Sequence, residues 1–159
     1  MYYDTLLSPF GEVYLLADDL GLRRLTLEKL AHPRCNTWIH SPEIMSPYSR
    51  QLDEYFAGVR RTFDLKLAPE GTVFQKQVWQ QLQSIPFGET LSAEDIAEDL
   101  GMPHATQAVR MAANMNPIPI IIPCHRLTIE AHLMTEYRYG ESMKKALLEM
   151  ECGKASMVN

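Results

Sequence analysis

Three hydrophobic-rich stretches lie within the first 27 positions of the chain, and short polar segments separate them. The stretches cover residues 2–7, 13–17 and 22–27. The separating segments, 8–11 and 18–21, contain the serine, proline, aspartate and glycine that favour tight turns. This pattern predicts a β-meander, in which consecutive strands pair with their neighbours in the sequence.

The pattern changes after the meander. Residues 31–47 contain several prolines, which predicts an irregular loop. A helix is predicted over 46–57, with Ser46 as its N-cap and Gly58 at its end. Residues 62–67 alternate between polar and apolar side chains, which predicts one further strand. The first part of the chain therefore combines a small sheet with one helix.

The second part has helical spacing instead. Apolar residues recur one turn apart after Thr72, which can cap a helix. Two short helices are predicted over 93–100, capped by Ser92, and over 103–115, and a tight glycine turn joins them. This arrangement is typical of a helix-turn-helix. A last helix is predicted over 141–151.

The composition of the 159-residue chain limits its class. No apolar run reaches the roughly 18 residues of a membrane span, and the N-terminus lacks the features of a signal peptide. A net charge of −5 argues against a general polyanion binder, so any nucleic-acid contact must be local. Three widely spaced cysteines do not predict a disulfide framework. We expect a monomeric, cytoplasmic protein with two domains, residues 1–69 and 70–159.

Cys124 carries the most informative chemistry, because it lies in the sequence Pro-Cys-His-Arg. The following His125 and Arg126 can both be positively charged, which favours the nucleophilic thiolate over the thiol. A lone cysteine is usually a small buried hydrophobe. These two neighbours, together with Asn116 and a late acid such as Glu151, indicate an activated thiol instead.

On these residues the chain resembles the O6-alkylguanine-DNA alkyltransferases, also called methylated-DNA–protein-cysteine methyltransferases. The resemblance covers nearly the whole chain, and its Pro-Cys-His-Arg core is highly specific. The matching segments are 8–11, 21–22, 71–75, 78–79, 85–89, 116–119, 122–126 and 147–148, followed by Glu151.

The resemblance implies an α/β fold. A small N-terminal ribonuclease-H-like sheet with a helix would precede a C-terminal helical domain with a winged-helix-like helix-turn-helix. It also implies a partner, double-stranded or single-stranded DNA that carries alkylated guanine. The damaged base is flipped out of the stack, and the cysteine takes its alkyl group irreversibly. No metal or diffusible cofactor is implied.

The resemblance also implies roles for individual residues. Cys124 would accept the alkyl group, and Asn116 would support its loop. His125 would act as a base through water, and Glu151 would orient it. Tyr137 would protonate the departing guanine, and both Tyr137 and Arg126 would contact the substrate.

The chain departs from the family pattern where the family engages DNA. Ala93 stands where the family has a tyrosine that rotates the target phosphate. Gln107 replaces the arginine that fills the gap left by the flipped base, and Arg110 replaces a glycine. The loop 135–140 keeps only two of its family residues, Tyr137 and a glycine. We therefore expect weak DNA binding through positions 93, 107 and 110.

Alternatives remain at this point. A degenerate relative that binds a ligand or regulates a partner, with poor repair activity, would fit the departures. A cysteine hydrolase fits less well, because nothing in the sequence indicates an oxyanion hole. His32, Cys35 and His40 have a spacing that zinc sites use, but they lack a clear fourth ligand. We therefore expect no metal.

Overall fold

A computed structural model describes residues 1–28, 38–128 and 137–157, with side chains described as far as position 153. The chain divides into two compact units, Met1–Glu70 and Gly71–Asn159. The first contains a sheet and one helix, and the second is mainly helical. The mixed α/β class predicted from the sequence is confirmed.

The first unit is built on the predicted meander. Strand β1 (Tyr2–Ser8) pairs antiparallel with β2 (Gly11–Asp18), and β2 pairs antiparallel with β3 (Gly21–Thr26). A short strand, β4 (Ile39–His40), adds parallel to the other edge of β1. The apolar side chains of β2 and β3 are buried, and they form the core with one face of the following helix.

That helix, α1 (Pro42–Ala57), begins earlier than the sequence predicted. Its N-cap is Ser41, whose hydroxyl accepts a hydrogen bond from the Ile44 amide, so the prediction of Ser46 as N-cap is wrong. Proline favours the first helical position because its missing N–H would have no partner there. A second proline in the next turn removes one backbone bond without ending the helix. Gly58 ends the helix as predicted, with φ of 86°.

The predicted strand over 62–67 is absent from the described part of the chain. Only Leu67 bridges to β3, opposite Leu22. The backbone of Asp64 is satisfied by a side chain instead, since the Gln51 amide donates to its carbonyl (3.1 Å) and accepts from its N–H (2.9 Å). Gln51 therefore replaces a neighbouring strand at Asp64, and only the end of the segment bonds to β3.

The described residues of the second unit form four α-helices, two short strands and a 3₁₀ turn. The order is α2 (Val73–Gln83), β5 (Leu91–Ser92), α3 (Ala93–Asp99), α4 (Thr106–Asn114), a 3₁₀ turn (Cys124–Arg126), β6 (Leu127–Thr128) and α5 (Glu141–Met157). Thr72 and Ser92 cap α2 and α3 as predicted, each within a capping box. Helix α4 starts at Thr106 rather than at position 103, because Ala105 still belongs to a preceding turn.

Trp79 fixes the distance between α2 and α4. Its indole N–H donates to the Ala112 carbonyl (2.8 Å), and the ring is buried. Gly71 lies so close that an added Cβ would meet this ring at 2.5 Å. The hydrogen bond links α2 to α4, and the glycine leaves room for the indole that makes it. In the described part of the chain, no helix has the length and apolar character that a membrane crossing requires.

Candidate active site

Asn116 organises the loop that delivers Cys124. Its side-chain amide donates to the Ile122 carbonyl (2.7 Å), and its oxygen accepts from the Ile118 N–H (2.9 Å). All three residues are buried. Within the loop Ile120 adopts φ of 75°, a left-handed conformation that a β-branched residue rarely takes. The asparagine therefore holds a strained backbone turn directly before the cysteine.

Cys124 opens the 3₁₀ turn and is 9% exposed. Burial raises the pKa of its thiol to about 11, although a hydrogen bond with Asn116 and the positive charges of Lys144 and Arg138 oppose the increase. The sequence predicted a thiolate favoured by its two neighbours. In the structure burial dominates, so the resting thiol is protonated at neutral pH and needs a base.

His125 and Glu151 form a fully buried pair. His125 Nε2 lies 2.8 Å from Glu151 Oε2. Burial lowers the pKa of His125, although Glu151 opposes this effect. The ring is therefore neutral, and its Nε2–H donates to the carboxylate. Its buried Nδ1 has no hydrogen-bond partner within the described residues, and it is the nitrogen with a lone pair available to accept a proton.

Arg126 neutralises the same carboxylate. Its Nε and Nη2 donate to the two oxygens of Glu151 at 2.8 and 3.0 Å, and its Nη1 donates to the Ile85 carbonyl (2.7 Å). Arg126 is only 6% exposed and does not line the pocket at the cysteine. Its assignment to substrate binding is therefore corrected, because its guanidinium is committed to Glu151. It positions the acid that positions His125.

A small pocket opens on Cys124. Helix α4 forms one side of it, and the residues that begin at Tyr137 form another. Tyr137 is buried, its hydroxyl has no partner among the described residues, and burial raises the pKa of its phenol. The phenol is thus a neutral donor at physiological pH. The polar and charged lining side chains are Arg110, Asn114, Tyr137, Arg138 and Lys144.

The three predicted DNA-contact positions have different surroundings. Gln107 is exposed on α4. Arg110 lines the pocket, and it donates to Gln107 Oε1 (3.3 Å) and to Glu94 Oε1 (3.5 Å). Ala93 is fully buried, so its side chain cannot touch DNA, and this part of the prediction is corrected. Its methyl group belongs to the core beneath α3.

Sequence reasoning missed Lys144 and gave Arg138 no role in the chemistry. Lys144 Nζ donates to the Leu127 carbonyl (2.7 Å), which attaches α5 to the segment after the cysteine. Both cations act on the thiol through their charge. A helical signal was available for the lysine, because positions 144 and 151 are two turns apart and therefore share one face of α5.

The zinc hypothesis is only partly covered by the structure. His32 and Cys35 lie outside the described residues. His40 pairs with Asp4 through Nε2 and Oδ1 (3.1 Å) and packs on the ring of Tyr3. Within the described ranges, no group of three or more histidine, cysteine or acidic residues could hold a metal.

Comparisons with known proteins agree with this geometry. Residues 73–153 match the model of the 6-O-methylguanine DNA methyltransferase DNA-binding domain, and residues 1–69 match that of its ribonuclease-like domain. The chain belongs to the 6-O-methylguanine DNA methyltransferase family. The resemblance and the ribonuclease-like fold expected from the sequence are thereby confirmed.

Relatives in this family are similar over almost their full length. A methylated-DNA–protein-cysteine methyltransferase of Methanosarcina acetivorans is 43% identical over 155 residues, covering 95% of this chain and 98% of that protein. One from Bacillus subtilis, described as constitutive, is 37% identical over 92% of both chains. A Mycobacterium tuberculosis OGT, solved in complex with DNA, has a TM-score of 0.87 at 39% identity and covers 97% of this chain and 94% of its own.

Proposed function

We propose that this protein repairs DNA by moving a methyl or other alkyl group from O6-alkylguanine irreversibly onto Cys124. The observation that carries the proposal is a pocket that opens on this cysteine, directly beside a fully buried His125–Glu151 pair. The family membership supports the reaction type. Relatives named methylated-DNA–protein-cysteine methyltransferase match the chain over nearly its full length, and none of the comparisons favours a degenerate binding protein.

The first step is removal of the thiol proton. The neutral His125 accepts it at Nδ1 through a bridging water, while its Nε2–H remains bonded to Glu151. Arg126 keeps the carboxylate ionised and in place, and the Asn116 side chain bonds to the sulfur. A general base of this kind contributes about 10²–10⁴-fold to the rate.

The second step is displacement at the alkyl carbon. A new bond joins Cys124 Sγ to that carbon, the bond from the carbon to O6 breaks, and the electron pair stays on the purine. Tyr137, a neutral phenol at the pocket wall, donates a proton so that guanine leaves uncharged. The pocket holds the carbon against the sulfur, and such positioning lowers the barrier substantially. No metal or diffusible cofactor takes part, and each molecule acts once.

DNA reaches the pocket across α4. Its exposed Gln107 and its pocket-lining Arg110 are the proposed contacts. A glutamine is shorter than arginine and uncharged, and Glu94 adds an acid beside Arg110. We therefore propose weak, salt-sensitive binding, with single-stranded DNA favoured over duplex more than is usual in the family. The protein acts as a monomer in the cytoplasm.

Intact-protein mass spectrometry tests the proposal. After incubation with duplex or single-stranded DNA carrying O6-methylguanine, the protein should gain one methyl group, located on Cys124 by peptide mapping. Cys124→Ser should gain none, whereas Cys152→Ser should behave as wild type, because that cysteine is exposed and lies outside the pocket. Binding of the modified DNA without any mass gain would support the binding-protein alternative instead.

A further inference from the structure

Three cationic side chains line the pocket at Cys124. Arg110, Arg138 and Lys144 all line it, and among the residues that the structure describes no aspartate or glutamate does. The charges of two of them reach the sulfur, since Arg138 and Lys144 both favour the ionised form of the thiol. The pocket that contains the nucleophile therefore has cationic side chains from three parts of the chain, α4, the segment before α5, and α5 itself.

Arg110 has a hydrogen-bond donor that lacks an acceptor among the described residues. Arg110 Nε is buried, and it has no partner within the described ranges, although its Nη1 and Nη2 reach Gln107 and Glu94. A buried N–H without a partner costs free energy that an anionic acceptor would recover. The hydroxyl of Tyr137 also lacks a partner in the part of the chain that the structure describes, but the proposed reaction uses it on the purine.

Attack geometry decides which part of a substrate meets these cations. The alkyl carbon must contact Cys124 Sγ, so any atoms beyond that carbon remain within the same pocket. A methyl group offers nothing for three positive charges to bind. An O6 substituent that ends in a carboxylate would place two acceptor oxygens there, and charge-assisted hydrogen bonds are about twice as strong as neutral ones.

We propose that this protein prefers O6-carboxyalkylguanine, of which O6-carboxymethylguanine is the smallest example, because Arg110, Arg138 and Lys144 line the pocket that contains the reacting sulfur. This inference rests on the proposed function and specifies its substrate class. Sulfur bonds to the methylene carbon, the bond from that carbon to O6 breaks, and its electron pair stays on the purine, which takes the Tyr137 proton. The carboxylate stays ionised and is transferred unchanged with the methylene.

The same cations could instead bind a phosphate or the purine, and a substrate series separates these sources. Three duplexes of one sequence carry O6-methylguanine, O6-carboxymethylguanine or O6-(carbamoylmethyl)guanine. The last has the shape of the second without its charge. Contacts with phosphate or purine affect all three duplexes equally, so the ratio of the single-turnover rates for the acid and the amide isolates the effect of the carboxylate.

We expect the acid to react about tenfold faster than the amide at low salt, and we expect this ratio to fall as salt is added. Arg138→Gln should reduce the ratio at least about threefold. The matched control is Lys145→Gln. This variant also removes one positive charge, but at an exposed position of α5 next to Lys144, so it should leave the ratio unchanged. Arg110→Gln provides a second variant on α4.

Two results would overturn the inference while leaving the proposed function intact. The first is methyl transfer with an acid-to-amide ratio of one or less. The second is a high ratio that neither Arg138→Gln nor Arg110→Gln reduces. If none of the three duplexes adds mass to Cys124, the proposed function itself fails, and the inference fails with it.

Discussion

His125 Nε2 and Glu151 Oε2 lie 2.8 Å apart in a site where neither side chain has any solvent exposure. Arg126 contacts the same carboxylate at both of its oxygens. Glu151 therefore has two roles, and the sequence alone does not distinguish them. It bonds to the ring of His125, and it balances the charge of the buried Arg126 side chain.

Removing the Glu151 carboxylate should lower the stability of the protein and also reduce its rate of alkyl transfer. Glu151→Gln leaves the Arg126 charge buried without its counterion, which typically costs about 3–5 kcal/mol. We expect a clear fall in melting temperature, measured by circular dichroism. The double variant Glu151→Gln with Arg126→Met removes the unpaired charge and should recover part of the loss. Equal melting temperatures for wild type and Glu151→Gln would contradict a buried, charged cluster.

His125→Ala should reduce the alkyl-transfer rate about 10²–10⁴-fold, because the thiol then lacks its base. Free O6-benzylguanine is the best substrate for this measurement, since its reaction requires no DNA binding. His104→Ala serves as the matched control, because this histidine is exposed and does not line the pocket. A normal rate in His125→Ala would mean that another group removes the proton.

The raised pKa of Cys124 predicts how the reactivity of its thiol depends on pH. Below about pH 11 the thiol is mostly protonated, so its uncatalysed reaction with iodoacetamide should rise about tenfold per pH unit towards that value. At neutral pH the exposed Cys152 should react faster than Cys124 with this reagent. The order reverses with benzylguanine, which only the pocket accepts.

Ionisation of Cys124 should also lower the stability of the folded protein at high pH. The folded pKa of Cys124 lies above its ordinary value of 9.0, so the folded protein holds this proton more tightly than the unfolded chain. The resulting stabilisation is fully present below about pH 9 and is lost as the pH rises to about 11. Cys124→Ser should therefore show a smaller loss of melting temperature over this interval. Parallel curves for the two proteins would contradict the assignment.

Gln107→Arg should strengthen duplex binding about 2- to 10-fold at low salt and should steepen the salt dependence by about one unit of slope. Fluorescence anisotropy with a labelled duplex measures both quantities. Gln107→Ala is the control that removes the amide without adding charge. Adding Ala93→Tyr, as the family pattern suggests, should not help, because this position is fully buried and a larger side chain would overpack the core. An unchanged salt slope in Gln107→Arg would place the residue away from DNA.

The sequence predicted those elements whose signals are local. Thr72 and Ser92 each form a capping box with the residue three positions later, which marks the start of a helix. Gly58 ends α1 because its φ is positive. The segment 62–67 misled the prediction, since its alternation resembles that of a strand while Gln51 satisfies its backbone from another element. A partner so distant in the sequence leaves no local trace.

The candidate site was predictable only in part, for the same reason. The grouping of Cys124 with His125 follows from their adjacency and from the family pattern. The position of Arg126 behind Glu151 depends on where α5 returns to the turn, and so does the approach of Lys144 to Leu127. The sequence predicted a thiolate at Cys124, but burial keeps the thiol protonated. Adjacent charges can be read from a sequence, whereas the degree of burial cannot.

The fluorescence of the Trp79 indole can report on the position of α4. Its N–H bonds to the Ala112 carbonyl, one residue before the pocket-lining Ala113. The chain has only one other tryptophan, Trp38, in the first unit. In a Trp38→Phe protein, emission would therefore come from a single buried ring bonded to α4, the helix across which we propose that DNA reaches the pocket. Its wavelength and quenching would record entry of the base in real time, without any added label.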